Sequence, residues 1–188
     1  MIRSEVIKSL IPVISNELVI CNIGLPSQEL YMHDDQASNF YMLGTMGLCS
    51  SIGLGLALNQ DAPVLAIDGD GSILTNFGTL ATIANNPAPN FTLLIIDNGS
   101  YGSTGDQPTY AGKKTSLSKV AKACGCENVI ECKGEDAAEE VSKSLKNNQM
   151  TIIVCKCNSG NVPVPNIVTH PVSTVSYTHL RAHETTNY

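Results

Sequence analysis

Two polar clusters follow two apolar runs near the middle of the 188-residue chain. Residues 68–72 (DGDGS) follow the apolar run 64–67, and residues 97–100 (DNGS) follow the apolar run 91–96. Carboxylate and amide oxygens are ligands that suit Mg²⁺, and backbone N–H groups of a glycine-rich helix start suit phosphate. Together the two clusters have the chemistry of a site for a metal ion and a diphosphate.

The two apolar runs predict buried parallel strands of a doubly wound α/β sheet with helices on both faces. About 25 residues (72–96) lie between the polar clusters, a length that suits one crossover helix. Parallel strands bring their carboxyl ends to one edge of the sheet, where such folds bind ligands. We therefore expect Asp70 and Asn98 to face each other at that edge.

The GDGS sequence and the Asn-containing pair that follows it resemble the cofactor motif of the thiamine-diphosphate (ThDP) enzymes. Either sequence alone is a common turn, so the resemblance depends on the pair at this spacing. It implies that Asp70, the Asn98 side chain and the Ser100 carbonyl bind Mg²⁺. Asp97 stands where the family usually has its first Asn, and the resemblance does not make it a ligand.

The same resemblance implies which residues hold the rest of the cofactor. The backbone N–H groups of Gly71 and Ser72 are expected to bind the diphosphate. The implied cofactor-binding residues in the turns are Asn22, Gly24, Gly69, Gly71, Ser72, Asn98 and Tyr101. Asn22 and Gly24 lie in the turn after a predicted strand at 18–21, and a plain structural turn is the alternative there.

Residues 41–47 (YMLGTMG) resemble the segment that bends the cofactor in these enzymes. The resemblance implies that Met46 supports the bent conformation and that the Gly44 carbonyl accepts a hydrogen bond from the aminopyrimidine. Without the resemblance, Met46 would be interpreted as a flexible core residue. Residues 50–58 (SSIGLGLAL) then predict a helix whose small residues allow close packing on the sheet.

The composition is that of one globular domain. A hydrophobic content of 43% is enough for a core, and the net charge of −6 argues against nucleic acid or an anionic membrane as the main partner. The first 17 residues predict an amphipathic helix that is too polar for a signal peptide. Together with seven cysteines, an odd number, this predicts reduced thiols in a cytoplasmic protein.

The cysteines include two Cys-x-Cys pairs, at 124–126 and 155–157. Zinc and iron-sulfur sites favour Cys-x₂-Cys spacing, so we interpret these thiols mainly as small apolar groups. Cys155 and Cys157 alternate along a predicted strand and should share one of its faces.

The remaining segments complete the predicted doubly wound domain, which covers residues 1–157. Residues 27–41 are predicted to be irregular, with His33 in a loop. Helices are predicted at 116–124 and 136–146, and strands at 128–131 and 151–156. Residues 158–188 are predicted to be an irregular tail whose last part, 175–188, is not native sequence, so that His170, His179 and His183 are poor metal ligands.

The loop at 99–114 is rich in Gly, Ser and Thr and suits ordering around a ligand. Its STGDQPT sequence resembles loops of the sulfopyruvate and phosphonopyruvate decarboxylases and, more distantly, of 2-oxoacid:ferredoxin oxidoreductases. Lys113 and Lys114 close the loop, where they either attract an anionic substrate or are simply solvated.

The resemblance covers residues 1–157 and is greatest to the beta subunits of sulfopyruvate decarboxylases. It implies a lyase with ThDP and Mg²⁺ as cofactors, which converts 3-sulfopyruvate to sulfoacetaldehyde and CO₂ in coenzyme M biosynthesis. The alternatives are a phosphonopyruvate decarboxylase, the beta subunit of a 2-oxoacid:ferredoxin oxidoreductase, and a non-catalytic cofactor-binding subunit.

The family activates its cofactor with a Glu from a separate pyrimidine-binding domain. The resemblance therefore implies an alpha subunit that carries this domain, a hetero-oligomer, and no certain catalytic residue in the present chain. Glu29 is the nearest upstream carboxylate, but it is expected in a loop on the wrong domain for this role.

Overall fold

Six parallel strands form the central sheet of the computed structural model, which describes residues 1–168. The strands of this sheet are β1 (Leu18–Cys21), β2 (Asn39–Tyr41), β3 (Val64–Gly69), β4 (Phe91–Asp97), β7 (Val129–Lys133) and β8 (Thr151–Lys156), in the order β2-β1-β3-β4-β8-β7. Two short strands, β5 (Ser100–Tyr101) and β6 (Gln107–Pro108), form a separate antiparallel pair. The predicted α/β fold is confirmed.

Helices cover both faces of the sheet. They are α1 (Arg3–Leu10), α2 (Leu25–His33), α3 (Cys49–Ala57), α4 (Asp70–Thr75), α5 (Gly78–Asn85), α6 (Leu117–Ala123) and α7 (Ala137–Lys146). One apolar core packs α3, α5 and α6 against one face, and a second packs α1, α2 and α7 against the other. None of the helices within residues 1–168 is both long enough and apolar enough to span a bilayer.

The two cores explain why the central strands are continuous apolar runs. Successive strand residues point to opposite faces, so in β4 Leu93 belongs to one core and Leu94 to the other. Both faces are covered by helices, and neither face of the strand meets water. The same alternation occurs along β3, where Ala66 and Ile67 lie on opposite faces.

Helix α3 lies close to the sheet because it is rich in small residues, as its sequence predicts. A Cβ atom at Gly53 would lie 2.8 Å from the Phe91 ring and 3.0 Å from Ala66 Cβ. At the start of the helix, Ser50 Oγ donates a 2.6 Å hydrogen bond to Asp68 Oδ2 at the end of β3. The helix is thus fixed to the strand that leads into the GDGS sequence.

Two predictions of local structure within residues 27–96 were wrong. Residues 27–41 are not irregular but contribute to α2 and β2. The buried face of α2 is completed by Leu30 and by Glu29, whose charge is paired with Arg3. The expected single crossover helix is two helices, α4 and α5. The chain leaves helical geometry at Asn76 (φ −146°, ψ 61°), whose side chain donates to the Gly47 carbonyl at 2.9 Å.

The N-terminal helix is shorter than predicted and ends at Leu10, and Pro12 lies in the single 3₁₀ turn that follows. Within 158–168 the described residues form no helix or strand, apart from an isolated bridge between Asn158 and Ile2. Residues 175–188 and His170, His179 and His183 lie outside the described residues. The domain boundary at 157 stays a prediction.

Candidate functional site

An open cleft lies at the carboxyl edge of the sheet, where the ends of β1, β3 and β4 meet. Its lining includes Asn22, Met46, Gly69, Asp70, Gly71, Ser72, Asn98, Ser100 and Tyr101. These are nine of the eleven residues for which sequence reasoning predicted a cofactor or metal role. Gly24 directly follows the lining residue Ile23, and Gly44 lies two residues before Met46, but neither glycine lines the cleft.

Asp70 is the first residue of α4 and follows β3 directly. Its side chain is 2% exposed and accepts a hydrogen bond from Thr109 Oγ1. Burial raises the pKa of Asp70 to about 6, because it disfavours the charged carboxylate; the Thr109 bond opposes this effect and the charge of Asp97 adds to it. A bound cation would therefore stabilise the charged form of this buried carboxylate.

Asn98 follows β4, which pairs with β3 through the register Gly69 to Ile96. Its Oδ1 accepts a 3.1 Å hydrogen bond from the Ser100 backbone N–H, which holds the turn that carries the Ser100 carbonyl. Asp70 and Asn98 therefore reach the same cleft from adjacent strands. Together with the Ser100 carbonyl they offer three hard oxygen donors, a set suited to Mg²⁺.

Asp97 does not line the cleft. It is buried at the end of β4, where its carboxylate pairs with Lys156 Nζ at the end of β8 and accepts a 3.2 Å hydrogen bond from the Gly99 N–H. Its position fixes the turn that begins with Asn98.

At two positions near the cleft, a neighbouring side chain lies so close to the backbone that only glycine fits. A Cβ at Gly71 would overlap the ring of Tyr101, which lies directly against the backbone of α4. Gly24 has a positive φ of 78°, and a Cβ there would lie 2.6 Å from Ser103 Oγ. The backbone at Gly71 therefore borders the cleft, at the start of α4, where helix N–H groups can hold an anion.

Asn22 presents an unpaired polar atom in the lining of the cleft. Its side chain is 6% exposed and lines the cleft, yet its Oδ1 is buried without a hydrogen-bond partner in the described part of the chain. Native proteins rarely leave such an atom unsatisfied. An amide oxygen accepts hydrogen bonds or binds a cation, so a metal ion or a donor group of a ligand in this cleft would satisfy Asn22, and the residues present fit a diphosphate cofactor that is bound with a metal ion.

Met46 lies at the mouth of the cleft with 41% of its surface exposed. The residue after it, Gly47, donates its N–H to Ser72 Oγ at 3.0 Å, so the YMLGTMG segment is joined to the GDGS segment. Met42, four residues earlier in the chain, is only 3% exposed. The exposed apolar side chains nearby are instead Leu43 and Leu48.

His33 and Lys113 make contacts outside the cleft. His33 is the last residue of α2, not a loop residue, and its Nε2 lies 3.3 Å from Ser4 Oγ. Lys113 Nζ lies 5.9 Å from the centre of the Tyr110 ring, and neither Lys113 nor Lys114 lines the cleft.

Glu29 lies in α2 instead of the expected loop. It is completely buried and forms a bidentate ion pair with Arg3, at 2.8 and 2.9 Å. This pairing occupies both of its carboxylate oxygens.

The seven cysteines are free thiols. Cys155 is buried in the core and Cys157 is half-buried. Residues 1–168 contain no group of three or more His, Cys, Asp or Glu side chains arranged to hold a metal ion.

Sequence reasoning missed two residues of the site. Arg3 lines the cleft from α1, and Thr109 binds Asp70 from the loop after β6. Arg3 is far from the cofactor motifs in the chain, and Thr109 is one of several hydroxyl residues in its loop. Local sequence carried no signal for either residue.

The family model described as thiamine pyrophosphate enzyme, C-terminal TPP binding domain, matches residues 26–155. The chain therefore belongs to the thiamine pyrophosphate enzyme family. The matched range contains both segments that carry Asp70 and Asn98, and also the segment that carries Met46.

Relatives in the thiamine pyrophosphate enzyme family include a protein of nearly the same length. Sulfopyruvate decarboxylase subunit beta from Methanococcus maripaludis is 48% identical over 165 residues, which are 88% of this chain and 89% of that protein. Sulfopyruvate decarboxylase from Methanosarcina acetivorans is 39% identical over 172 residues, which are 91% of this chain but only 44% of that protein.

A solved structure supports the fold of this family member. The 2-oxoglutarate:ferredoxin oxidoreductase from Magnetococcus marinus superposes with a TM-score of 0.70 over 88% of this chain and 64% of that chain, at 18% sequence identity. At this identity the likeness concerns the fold alone.

Proposed function

We propose that this chain is the diphosphate-binding subunit of a ThDP-dependent decarboxylase for a small anionic 2-oxoacid, and that 3-sulfopyruvate is the substrate. The products would be sulfoacetaldehyde and CO₂. The observation that carries the proposal is that Asp70 and Asn98 line the same cleft. The chain that contains them is 48% identical to a sulfopyruvate decarboxylase subunit beta over 88% of this chain.

The proposed roles of the chain are to bind and orient the cofactor. Asp70, Asn98 and the Ser100 carbonyl would hold Mg²⁺, and the N–H groups of Gly71 and Ser72 would hold the diphosphate. When bound, ThDP supplies the electron acceptor that lets CO₂ leave from a 2-oxoacid. Met46 would support the cofactor conformation, and no general acid or base is assigned to this chain.

We further propose that an alpha subunit completes the site with a pyrimidine-binding domain and its activating Glu. This chain matches 44% of the longer sulfopyruvate decarboxylase, and 89% of the relative named subunit beta. Within the chain, Glu29 is an unsuitable substitute because its carboxylate is buried against Arg3. The expected active species is therefore a hetero-oligomer, with residues 1–157 as the contributed domain.

The metal site is tested with Asp70→Ala and Asn98→Ala. Each change removes one proposed Mg²⁺ ligand and should lower the affinity for ThDP with Mg²⁺ while the protein remains folded. Calorimetric titration measures the affinity, and circular dichroism checks the fold. Unchanged affinity in both variants would contradict the assignment.

The two-chain proposal is tested by comparing the purified single chain with the co-expressed pair at saturating ThDP and Mg²⁺. We expect decarboxylation only from the pair. A panel of 3-sulfopyruvate and phosphonopyruvate then identifies the substrate, and preference for phosphonopyruvate would overturn the proposed specificity. Full activity of the single chain would overturn the two-chain proposal.

A further inference from the structure

Arg3 brings a guanidinium group to the wall of the cleft. It lies in the first turn of α1 and is 6% exposed. Its Nε and Nη2 donate to the two oxygens of Glu29 at 2.8 and 2.9 Å, and Nη2 also donates to Asn161 Oδ1 at 2.9 Å. These bonds fix the plane of the guanidinium, because a bidentate pair sets its orientation as well as its position.

The third nitrogen, Nη1, donates to no atom of residues 1–168. It lies beside the backbone of Gly102, where a Cβ atom would be 2.9 Å away, and both residues line the cleft. An arginine has five N–H donors, and the two on Nη1 remain available at the cleft.

Charge distinguishes Arg3 from the other residues around the cleft. Among the described lining residues it has the only positively charged side chain, and Asp70 has the only negatively charged one. Lys113 and Lys114 do not line the cleft. Asn22 lies in the same lining with its buried amide oxygen unpaired, so two polar groups of this wall lack protein partners.

We propose that Arg3 binds an anionic oxygen of the ligand through Nη1, and that Glu29 is the positioning residue that holds the guanidinium for this contact. The inference rests on the proposed function, because it names a further contact of the same site. The nearest candidates are the diphosphate oxygens, since Arg3 lines the same cleft as Gly71 and Ser72, whose N–H groups are proposed to hold the diphosphate. A sulfonate oxygen of the substrate has the same chemistry, and the test separates the two.

A purely structural ion pair would behave differently. If Arg3 only held α1 against α2, its replacement would lower the unfolding temperature of the ligand-free chain and leave anion affinity unchanged in the folded protein. A ligand contact adds a loss of anion affinity. The two roles are separated by measuring both quantities.

The test uses the full chain and two probes at constant ionic strength. Pyrophosphate with Mg²⁺ represents the diphosphate, and sulfoacetate, added to the ThDP and Mg²⁺ complex, represents the substrate anion. Calorimetry compares the wild type with Arg3→Lys, Gly102→Ala and the control Lys8→Gln. Lys8 is exposed on α1 and does not line the cleft, so its variant removes one positive charge without touching the proposed contact.

Gly102→Ala is the more specific variant because it leaves both partners of the Arg3–Glu29 ion pair intact. Its new Cβ would lie 2.9 Å from Nη1 and 2.8 Å from Asn161 Oδ1, so it obstructs the free nitrogen. We expect Arg3→Lys and Gly102→Ala to weaken pyrophosphate binding about tenfold, the scale of one charge-assisted hydrogen bond. Lys8→Gln should bind like the wild type.

Each outcome decides the inference. A loss confined to sulfoacetate supports Arg3 as an oxyanion contact and assigns it to the substrate. If folded Gly102→Ala binds both probes with wild-type affinity, the inference is overturned and the proposed function remains intact. This result holds whether or not Arg3→Lys folds. Failure of the wild type to bind pyrophosphate with Mg²⁺ overturns both.

Discussion

Thr109 Oγ1 donates a hydrogen bond to Asp70 Oδ2, which joins the loop after β6 to the first residue of α4. The Thr109 side chain is buried, and the backbone N–H of Thr109 donates to the Gly99 carbonyl at 2.9 Å. The turn after β4 and the carboxylate after β3 are therefore held together by one residue. Two proposed metal ligands, Asp70 and Asn98, depend on this connection for their relative position.

Thr109→Val removes the donor while keeping the side-chain shape. The buried Asp70 oxygen would then lack its partner, and we expect a loss of about 1–3 kcal/mol in the free energy of unfolding measured in urea with EDTA. Thr109→Ser keeps a hydroxyl and is the matched control. Equal stability of the Val variant and the wild type would show that the bond does not contribute.

The pKa of Asp70 predicts a pH dependence of the metal-free protein. In the folded chain this pKa is raised from 3.8 to about 6, so between these pH values the unfolded chain loses a proton that the folded chain keeps. The free energy of unfolding should fall as pH rises through this window, by about 3 kcal/mol at most, with no further Asp70 contribution above it.

Asp70→Asn isolates this contribution because the amide does not titrate. The difference between wild-type and variant stabilities, measured by urea unfolding with EDTA from pH 4 to 7, should change within the window. A difference that is independent of pH would contradict the assigned pKa.

Gly71→Ala tests the close contact between α4 and Tyr101. The added Cβ would overlap the Tyr101 ring, so we expect lower stability and weaker pyrophosphate binding, in spite of the better helix propensity of Ala. Gly55→Ala in α3 is the matched control, because no atom lies within 4 Å of its new Cβ. That variant should gain about 0.5–1 kcal/mol in urea unfolding. A similar gain for both variants would show that Tyr101 moves away without cost.

The sequence was informative where one local rule was sufficient. Continuous apolar runs predicted β3 and β4, and the polar residues after them predicted that Asp70 and Asn98 lie in one cleft. This works because parallel strands end at one edge, so a position along the chain becomes a position in space.

The sequence was uninformative where a contact joins distant parts of the chain. Helix α2 was missed because its buried Glu29 has a polar side chain, and only the pairing with Arg3 makes its burial acceptable. Arg3 and Thr109 were missed for a related reason. Each is held by a partner outside its own segment: Arg3 by Glu29, and Thr109 by Asp70.

Met46→Ala should lower turnover of the assembled enzyme more than affinity for ThDP. The proposed diphosphate and metal contacts are untouched, whereas a side chain at the mouth of the cleft is shortened. Met46→Leu keeps most of the volume and should have a mild effect. The measurements are steady-state turnover at saturating cofactor and calorimetric affinity. Normal turnover of the Ala variant would assign Met46 an ordinary packing role.

The exposed apolar side chain at Leu43 should contact the proposed alpha subunit. Leu43 is 70% exposed and precedes α3, close in the chain to Met46, whereas Leu58 is 51% exposed just after the other end of α3. Nine helical residues separate the two ends by about 13 Å. An interface that closes the cleft would bury Leu43 and leave Leu58 in solvent.

Leu43→Asp should therefore weaken association with the alpha subunit, because it would place a charge in a buried interface, while Leu58→Asp should not. Analytical ultracentrifugation of the co-expressed pair measures association, and thermal unfolding of each single chain checks that both variants remain folded. Equal association of the two variants would place the interface elsewhere. Weaker association only for Leu58→Asp would place it at the opposite end of α3.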